Sequence, residues 1–320
     1  MSNPDPLPST SDFRDRRTGL IVFGVLLIVV GCLNALMAVV LLADPLAVPG
    51  AGAASSADRM LVPGAVTYGA IAVLFAWLGA GSVLTRRWAP PLILTVGWIW
   101  LVAGVFGVAF TALVLPSLVN AASQGGPLPD GFETVIMATT IGMLTLVMVA
   151  LPSVVILFYR GRDVQATCDA RDAVPRWTDG LPLALIGLSI SLALMAASLL
   201  PAVLFYNGAA PAFGVVISGL SGVVMNLVLI AVWAYCAWGL LRGDLRAWWA
   251  AVVSVTVASA SAALTFAWID TREMLRLMGA PPGQFPPEWS PGASTMIMLV
   301  VAVWLSVIAG LVSVKRHVRR

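Results

Sequence analysis

Eight long stretches of this chain contain no Asp, Glu, Lys, Arg or His: residues 20–42, 64–85, 90–115, 134–158, 181–205, 213–241, 247–269 and 293–314. A helix needs about 20 apolar residues to cross roughly 30 Å of hydrocarbon, so each run is long enough to span a bilayer. Within hydrocarbon the backbone must satisfy its own hydrogen bonds, which leaves helices as the conformation for such runs. Composition agrees: 60% of residues are hydrophobic and 10% charged, where a soluble domain carries about 25% charged residues. The expected fold class is therefore all-α integral membrane, with eight transmembrane helices.

Orientation follows from the basic residues, because loops rich in Arg and Lys stay in the cytoplasm. With the N-terminus inside, fifteen Arg or Lys fall on the inner face and three, Arg59, Arg272 and Arg276, on the outer. Asp and Glu split almost evenly, as expected of residues that steer insertion weakly. The sequence thus places both termini in the cytoplasm and the protein in the inner (plasma) membrane. The first run is too long for the 7–15-residue core of a signal peptide and is read as a retained helix. The pI near 9.0 comes from orientation signals rather than an aromatic-laced basic patch, so no nucleic acid is expected as partner.

The chain echoes itself at an offset near 160 residues. Ala35-Leu36-Met37-Ala38 with Leu41-Leu42 returns as Ala193-Leu194-Met195-Ala196 with Leu199-Leu200, Ala72-Val73 and Arg87 as Ala231-Val232 and Arg246, and Ile136-Met137 as Ile297-Met298. The collinearity argues for a tandem 4+4 repeat. An even number of helices per unit puts the two in the same orientation, a parallel rather than an inverted repeat. The expected organisation is a cytoplasmic tail over 1–19, a first four-helix unit over 20–159, a cytoplasmic linker over 160–180, a second unit over 181–314 and a basic cytoplasmic tail over 315–320.

The least membrane-like stretch is the loop from Asp163 to Pro182. Most simply it is a joint between the units, kept in water by alternating charges, with Trp177 anchoring it at the headgroups and Thr178 or Asp179 capping the fifth helix. The functional alternative is a loop that binds a protein partner or a phosphate through Cys168, Arg171, Asp172, Arg176, Trp177 and Asp179. The pattern Ala166-Thr167-Cys168, Arg171-Asp172, Pro175-Arg176-Trp177-Thr178-Asp179 and Pro182 resembles a cassette in uncharacterised bacterial polytopic membrane proteins. That resemblance covers these twenty residues and the helix count, and it implies kinship without an activity.

Other chemistry has little to stand on. Cys32, Cys168, Cys236, His317 and the Met274/Met278 pair complete no metal site, and no cofactor is expected. The runs supply no carboxylate, His or Lys at membrane depth, which argues against an enzyme and against proton coupling through carboxylates. Asn34 and Asn226 are the polar residues near mid-membrane; they either line a cavity or join helices by hydrogen bonds. Small residues four apart, as in Gly214, Ser218 and Gly222 of the sixth run or Ala250, Ser254, Ala258 and Ala262 of the seventh, suit close helix contact. Pro152 and Pro201 should bend their helices. The favoured function is a non-enzymatic partner-binding or scaffold subunit with membrane lipids around it. The alternative is a channel or carrier for a lipid or weakly polar solute at the interface of the two repeats. Seventeen Arg against one Lys, with abundant Ala and Gly, point to a GC-rich bacterium.

Overall fold

The computed structural model describes residues 14–43, 56–123, 131–172, 174, 178–269, 273, 276–277 and 292–318. These fold into helices and one small hairpin. In chain order the helices are α1 (Arg17–Ala43), α2 (Ser56–Val83), α3 (Ala89–Ser123), α4 (Phe132–Thr145), a π turn (Leu146–Ala150), α5 (Leu151–Tyr159) and α6 (Arg162–Arg171). Then follow α7 (Leu183–Ser198), α8 (Leu200–Leu204), strands β1 (Ala210–Ala212) and β2 (Val215–Ile217), α9 (Gly219–Leu241), α10 (Leu245–Trp268) and α11 (Ala293–Val314). A 3₁₀ turn over Lys315–His317 closes the chain.

Among the described residues, eight helical segments are long and apolar enough to cross a membrane, the fourth formed by α4, the π turn and α5 together, and the fifth by α7 with α8. Large apolar side chains remain exposed around the bundle, Val73 at 70% and Leu220 at 80%. Water would not tolerate a continuous belt of this kind, whereas lipid tails solvate it.

The first core gathers α1, α2, α3, α5 and α6, with Leu20, Leu78, Ile93 and Tyr159 fully enclosed. α1 and α2 pack backbone to backbone through Gly24, Gly31 and Gly79. A Cβ at Gly24 would meet the Gly79 carbonyl at 2.8 Å, and one at Gly31 the Ala72 carbonyl at 2.9 Å. Close approach of this kind supplies dispersion energy where no hydrophobic effect distinguishes helix from lipid. At one end, Ser82 Oγ donates to the Leu20 carbonyl and shares a hydrogen bond with Tyr159 Oη, tying α1, α2 and α5. The second core joins α7, α9, α10 and α11 around Leu192, Leu240, Val255 and Leu311. There Trp248 Nε1 donates to the Leu311 carbonyl at 2.8 Å. The two cores meet chiefly along α3 and α7.

Both prolines stand at interruptions of regular α-helix. Pro201 follows a break at Leu199 that separates α7 from α8. Pro152 has no N–H for the Met148 carbonyl and its ring would crowd that oxygen. The chain opens into the π turn just before it, and the Met148 carbonyl lies against Gly104 of α3, where a Cβ could not fit. Trp100 Nε1 donates to Met148 Sδ at 3.3 Å beside it.

Three local expectations are corrected. The sixth helix does not begin at 213 but at Gly219. Residues 210–217 form an antiparallel hairpin whose turn, Phe213-Gly214, has positive φ at both positions (48° and 97°). That is the geometry of a two-residue hairpin turn, and Gly supplies it cheaply. Gly214 and Ser218 therefore lie outside the helix that carries Gly222. Neither Thr178 nor Asp179 caps the fifth span, because α7 starts after Pro182, with no side-chain cap. The stretch read as a linker also holds a complete helix, α6, from Arg162 to Arg171.

Candidate functional site: the joint between the two helical units

Helix α6 is amphipathic at one turn's spacing. Val164, Thr167 and Cys168 point into the first core while charged side chains face outward. Asp163 in its first turn and Arg171 in its last complement the helix dipole. Its underside is fastened to the start of the chain. Arg16 N donates to Thr167 Oγ1 at 3.1 Å, Arg16 Nε lies 3.5 Å from Asp163 Oδ2, and Arg171 Nη2 lies 2.8 Å from Asp15 Oδ2. The N–H of Arg17 and the guanidinium of Arg171 hold the Asp15 carboxyl below its usual range.

The far end of α6 is fastened by Arg87, in the tight turn between α2 and α3. Its Nε stands 2.6 Å from Asp169 Oδ1 and 3.2 Å from Asp179 Oδ2. Its backbone N–H donates to Asp172 Oδ2 at 3.2 Å. One residue thus binds the end of α6, the segment after it and the approach to α7. In the sequence Arg87 stands out only as an orientation signal and as the repeat counterpart of Arg246; its partners lie more than eighty residues away and leave no local pattern. The available signal was a lone Arg-Arg turn facing an Asp-rich segment across one predicted membrane surface.

Beside Arg87 lies a cavity of about 280 Å³. Pro90, Pro91 and Leu94 of α3 and Leu181 and Leu183 at the start of α7 form its apolar walls, and Gln165, Cys168, Asp169, Thr178 and Asp179 its polar ones. Thr178 is 3% exposed and its Oγ1 has no hydrogen-bond partner. Such an atom normally finds one, since leaving it unmade costs about 1–3 kcal/mol.

The predicted site residues fall into separate groups. Cys168, Asp172 and Asp179 come together around Arg87, and Arg171 lies on the same helix, paired to Asp15. Arg176 and Trp177 lie outside the described residues. Cys168 is 1% exposed, and burial, with Asp169 and Asp172 adding to it, pushes its thiol up to about 12. It is a packed side chain rather than a nucleophile.

Asn34 and Asn226 do unlike things. Asn34 is half-buried on α1 and its Nδ2 donates back to the Val30 carbonyl of its own helix. Asn226 is buried on α9 and donates to the Gly208 carbonyl in the segment leading to the hairpin. The hairpin is held from the other side by α10. Ser261 Oγ accepts from Phe213 N at 2.9 Å and donates to the Pro211 carbonyl at 3.1 Å, and Thr265 Oγ1 accepts from Gly214 N at 3.2 Å. Non-helical backbone near membrane depth is tolerable only when protein satisfies it in this way.

Cys32 is exposed on α1, Cys236 is buried on α9, and His317 lines a separate cleft with Arg242 near the C-terminus. Met274 and Met278 lie outside the described residues. Among the described residues no group of three His, Cys, Asp or Glu is placed to hold a metal ion. No known protein family matches the chain, and no curated protein or solved structure is significantly similar to it.

Proposed function

We propose that this is a non-enzymatic, multi-pass protein of a bacterial plasma membrane, built from two parallel four-helix units with both termini in the cytoplasm, and that it serves as a partner-binding or scaffold subunit. The observation that carries this reading is the fixed platform made by α6. Ion pairs at both ends hold it across the end of the first unit, yet Asp163, Asp169 and Arg171 keep 37–49% of their side-chain surface exposed. A surface that is both rigid and charged meets a partner with little ordering cost. The fifteen-to-three distribution of Arg and Lys supports the orientation. The separate cores of the two halves support the two-unit organisation.

Gentle extraction of the full chain from its own membrane, followed by native mass spectrometry, tests this reading. A stoichiometric second polypeptide is expected, cross-linkable to α6 and released by Arg171→Gln but kept by Asp15→Asn, which breaks the same ion pair without altering the surface of α6. A chain that emerges alone from several mild detergents overturns it.

A second reading, a channel or carrier for a lipid or weakly polar solute at the interface of the units, is favoured by one observation. Thr95 on α3 and Ser189 on α7, both 2% exposed on the two helices that meet there, have hydroxyls without partners. It predicts that Thr95→Val with Ser189→Ala abolishes solute flux in proteoliposomes while leaving the fold intact.

A further inference from the structure

We propose that the cleft at the end of the second unit is a binding site for a phosphate group, best matched by the headgroup of an anionic lipid. The cleft, of about 580 Å³, opens where α7 begins and where α9 and the C-terminal turn finish. The approach to α7 and its first turn supply Leu181, Pro182 and Leu185 to the wall. The end of α9 supplies Leu241 and Arg242, and the terminal turn supplies His317. Among the described residues of that wall, Arg242 is the one permanent charge, and no carboxylate is present. Its guanidinium lies 3.7 Å from the centre of the Trp238 ring, a stack that holds the planar fork and leaves its N–H edge for an acceptor. It takes part in no ion pair among the described residues. His317 contributes the body of its ring, since its Nδ1 is enclosed.

The groups that could cancel this charge are held elsewhere. Asp179 lies 3.2 Å from Arg87 Nε, and Asp244 Oδ1 accepts the Arg246 N–H at 2.8 Å at the head of α10. Gly243, with φ of +71°, turns the chain so that the Gly239 and Leu240 carbonyls accept from Arg242, Gly243 and Asp244. The last carbonyls of α9 are thus spent within their own turn. Lys315, beside His317, stands 5.1 Å and 5.7 Å from the rings of Trp248 and Trp249, which fixes a second cation at this end of the bundle. A cationic ligand would meet Arg242 with no carboxylate to offset it. Leu181, Pro182, Leu185 and Leu241 make the remaining wall apolar, at the ends of two membrane-crossing segments. A phosphate at the bilayer surface, with acyl chains beneath it, satisfies the cation and the apolar wall together. A free phosphate satisfies the cation alone. The inference goes beyond the partner-binding reading and does not depend on it, since it concerns the second unit and a small ligand.

The test uses the full chain in nanodiscs of phosphatidylcholine containing equal minor amounts of phosphatidylethanolamine and phosphatidylglycerol. Native mass spectrometry then counts the lipids retained on ejection. Phosphatidylglycerol should be retained at least fivefold over both others, because choline and ethanolamine bring a cation of their own. Arg242→Gln should reduce that preference at least fivefold with the melting temperature held. Arg160→Gln, at the exposed end of α5 in the other unit, should leave it unchanged; an equal loss in both variants means diffuse surface charge and overturns the proposal. If phosphatidylglycerol shows no preference, inorganic phosphate is titrated against the chain in phosphatidylcholine alone. A saturable rise in melting temperature that Arg242→Gln removes assigns the site to a free phosphate. Neither effect, or a preference for phosphatidylethanolamine, overturns the proposal, whether or not a protein partner is found. Should Arg242→Gln fail to fold, Trp238→Leu takes its place, and removing the ring beneath the guanidinium should reduce the preference at least twofold.

Discussion

The side-chain amide of Asn226, buried on α9, donates to the carbonyl of Gly208 at 3.1 Å. That carbonyl also lies against Gly222, one turn earlier on α9, where a Cβ would collide with it. A polar side chain on a long apolar helix is thereby accounted for by irregular backbone that needs it.

The two asparagines should separate on substitution. Asn226→Leu strips a buried carbonyl of its donor and should destabilise the protein by about 1–2 kcal/mol, in line with hydrogen bonds between membrane segments. Asn34→Leu removes a bond within one helix and should be close to neutral. Melting temperatures of the two variants in one lipid mixture check this; equal losses would mean that the Gly208 contact contributes nothing.

Gly222→Ala should cost more than either. The added methyl meets the Gly208 carbonyl rather than a movable side chain. Gly208 itself has φ of +68° and its own Cβ would meet Val223 N at 2.5 Å, so the loop has no easy direction in which to yield. A loss of about 1–3 kcal/mol is expected from over-packing. Gly107→Ala on α3, with open space at its Cβ, is the control and should be neutral or slightly stabilising.

Ser261→Ala leaves Phe213 N without an acceptor and Pro211 O without a donor. We expect the hairpin to loosen before the helices do. Hydrogen exchange at residues 210–217 should rise sharply while exchange across α9 and α10 changes little, and Ser254→Ala, elsewhere on α10, should show neither effect.

Cys168 should resist alkylation. With its thiol at about 12 against an ordinary value of 9.0, the folded protein holds roughly a thousandth of the usual thiolate near neutrality. Maleimide modification mapped by peptide mass spectrometry should be slow at pH 7.5 and rise on unfolding. The linkage has a definite sign. A raised pKa means the folded state keeps its proton more tightly than the unfolded one. Stability from this group is therefore full below about pH 9 and declines as pH rises towards 12. Cys168→Ala should lack that part of the alkaline decline.

The spans were legible because lipid imposes a length and forbids charge, and both are countable in a single sequence. The hairpin was not, because Val215-Val216-Ile217 suits a lipid-facing helix as well as a strand; the hints were a run longer than a span requires and a Phe-Gly pair suited to a tight turn. The joint was legible as a place and not as an arrangement. Cys168, Arg171, Asp172 and Asp179 stood out by composition, whereas Arg87 joins them from across the bundle, by a pairing that no periodicity records. Cys168 illustrates the difference: its neighbours in sequence are charged, and only the packing of α6 shows that it faces a core.

The π turn at Leu146–Ala150 has a consequence for how this chain tolerates changes in length. Beyond it, α5 is indexed to the bundle by Tyr159, locked to Ser82. Before it, α4 buries no side chain. Met148, within the turn, is itself seated on Gly104 and bonded to Trp100, so the indexed stretch runs from Met148 to Tyr159 and α4 before it is unindexed. Losing one residue from α4 would rotate the part of the helix before the loss by about 100° and exchange one lipid-facing stripe for another, while α5 kept its register. One residue lost beyond Met148 would carry Tyr159 off Ser82 by the same angle. Insertions and deletions in this span are thus sorted by which side of a single methionine they fall on.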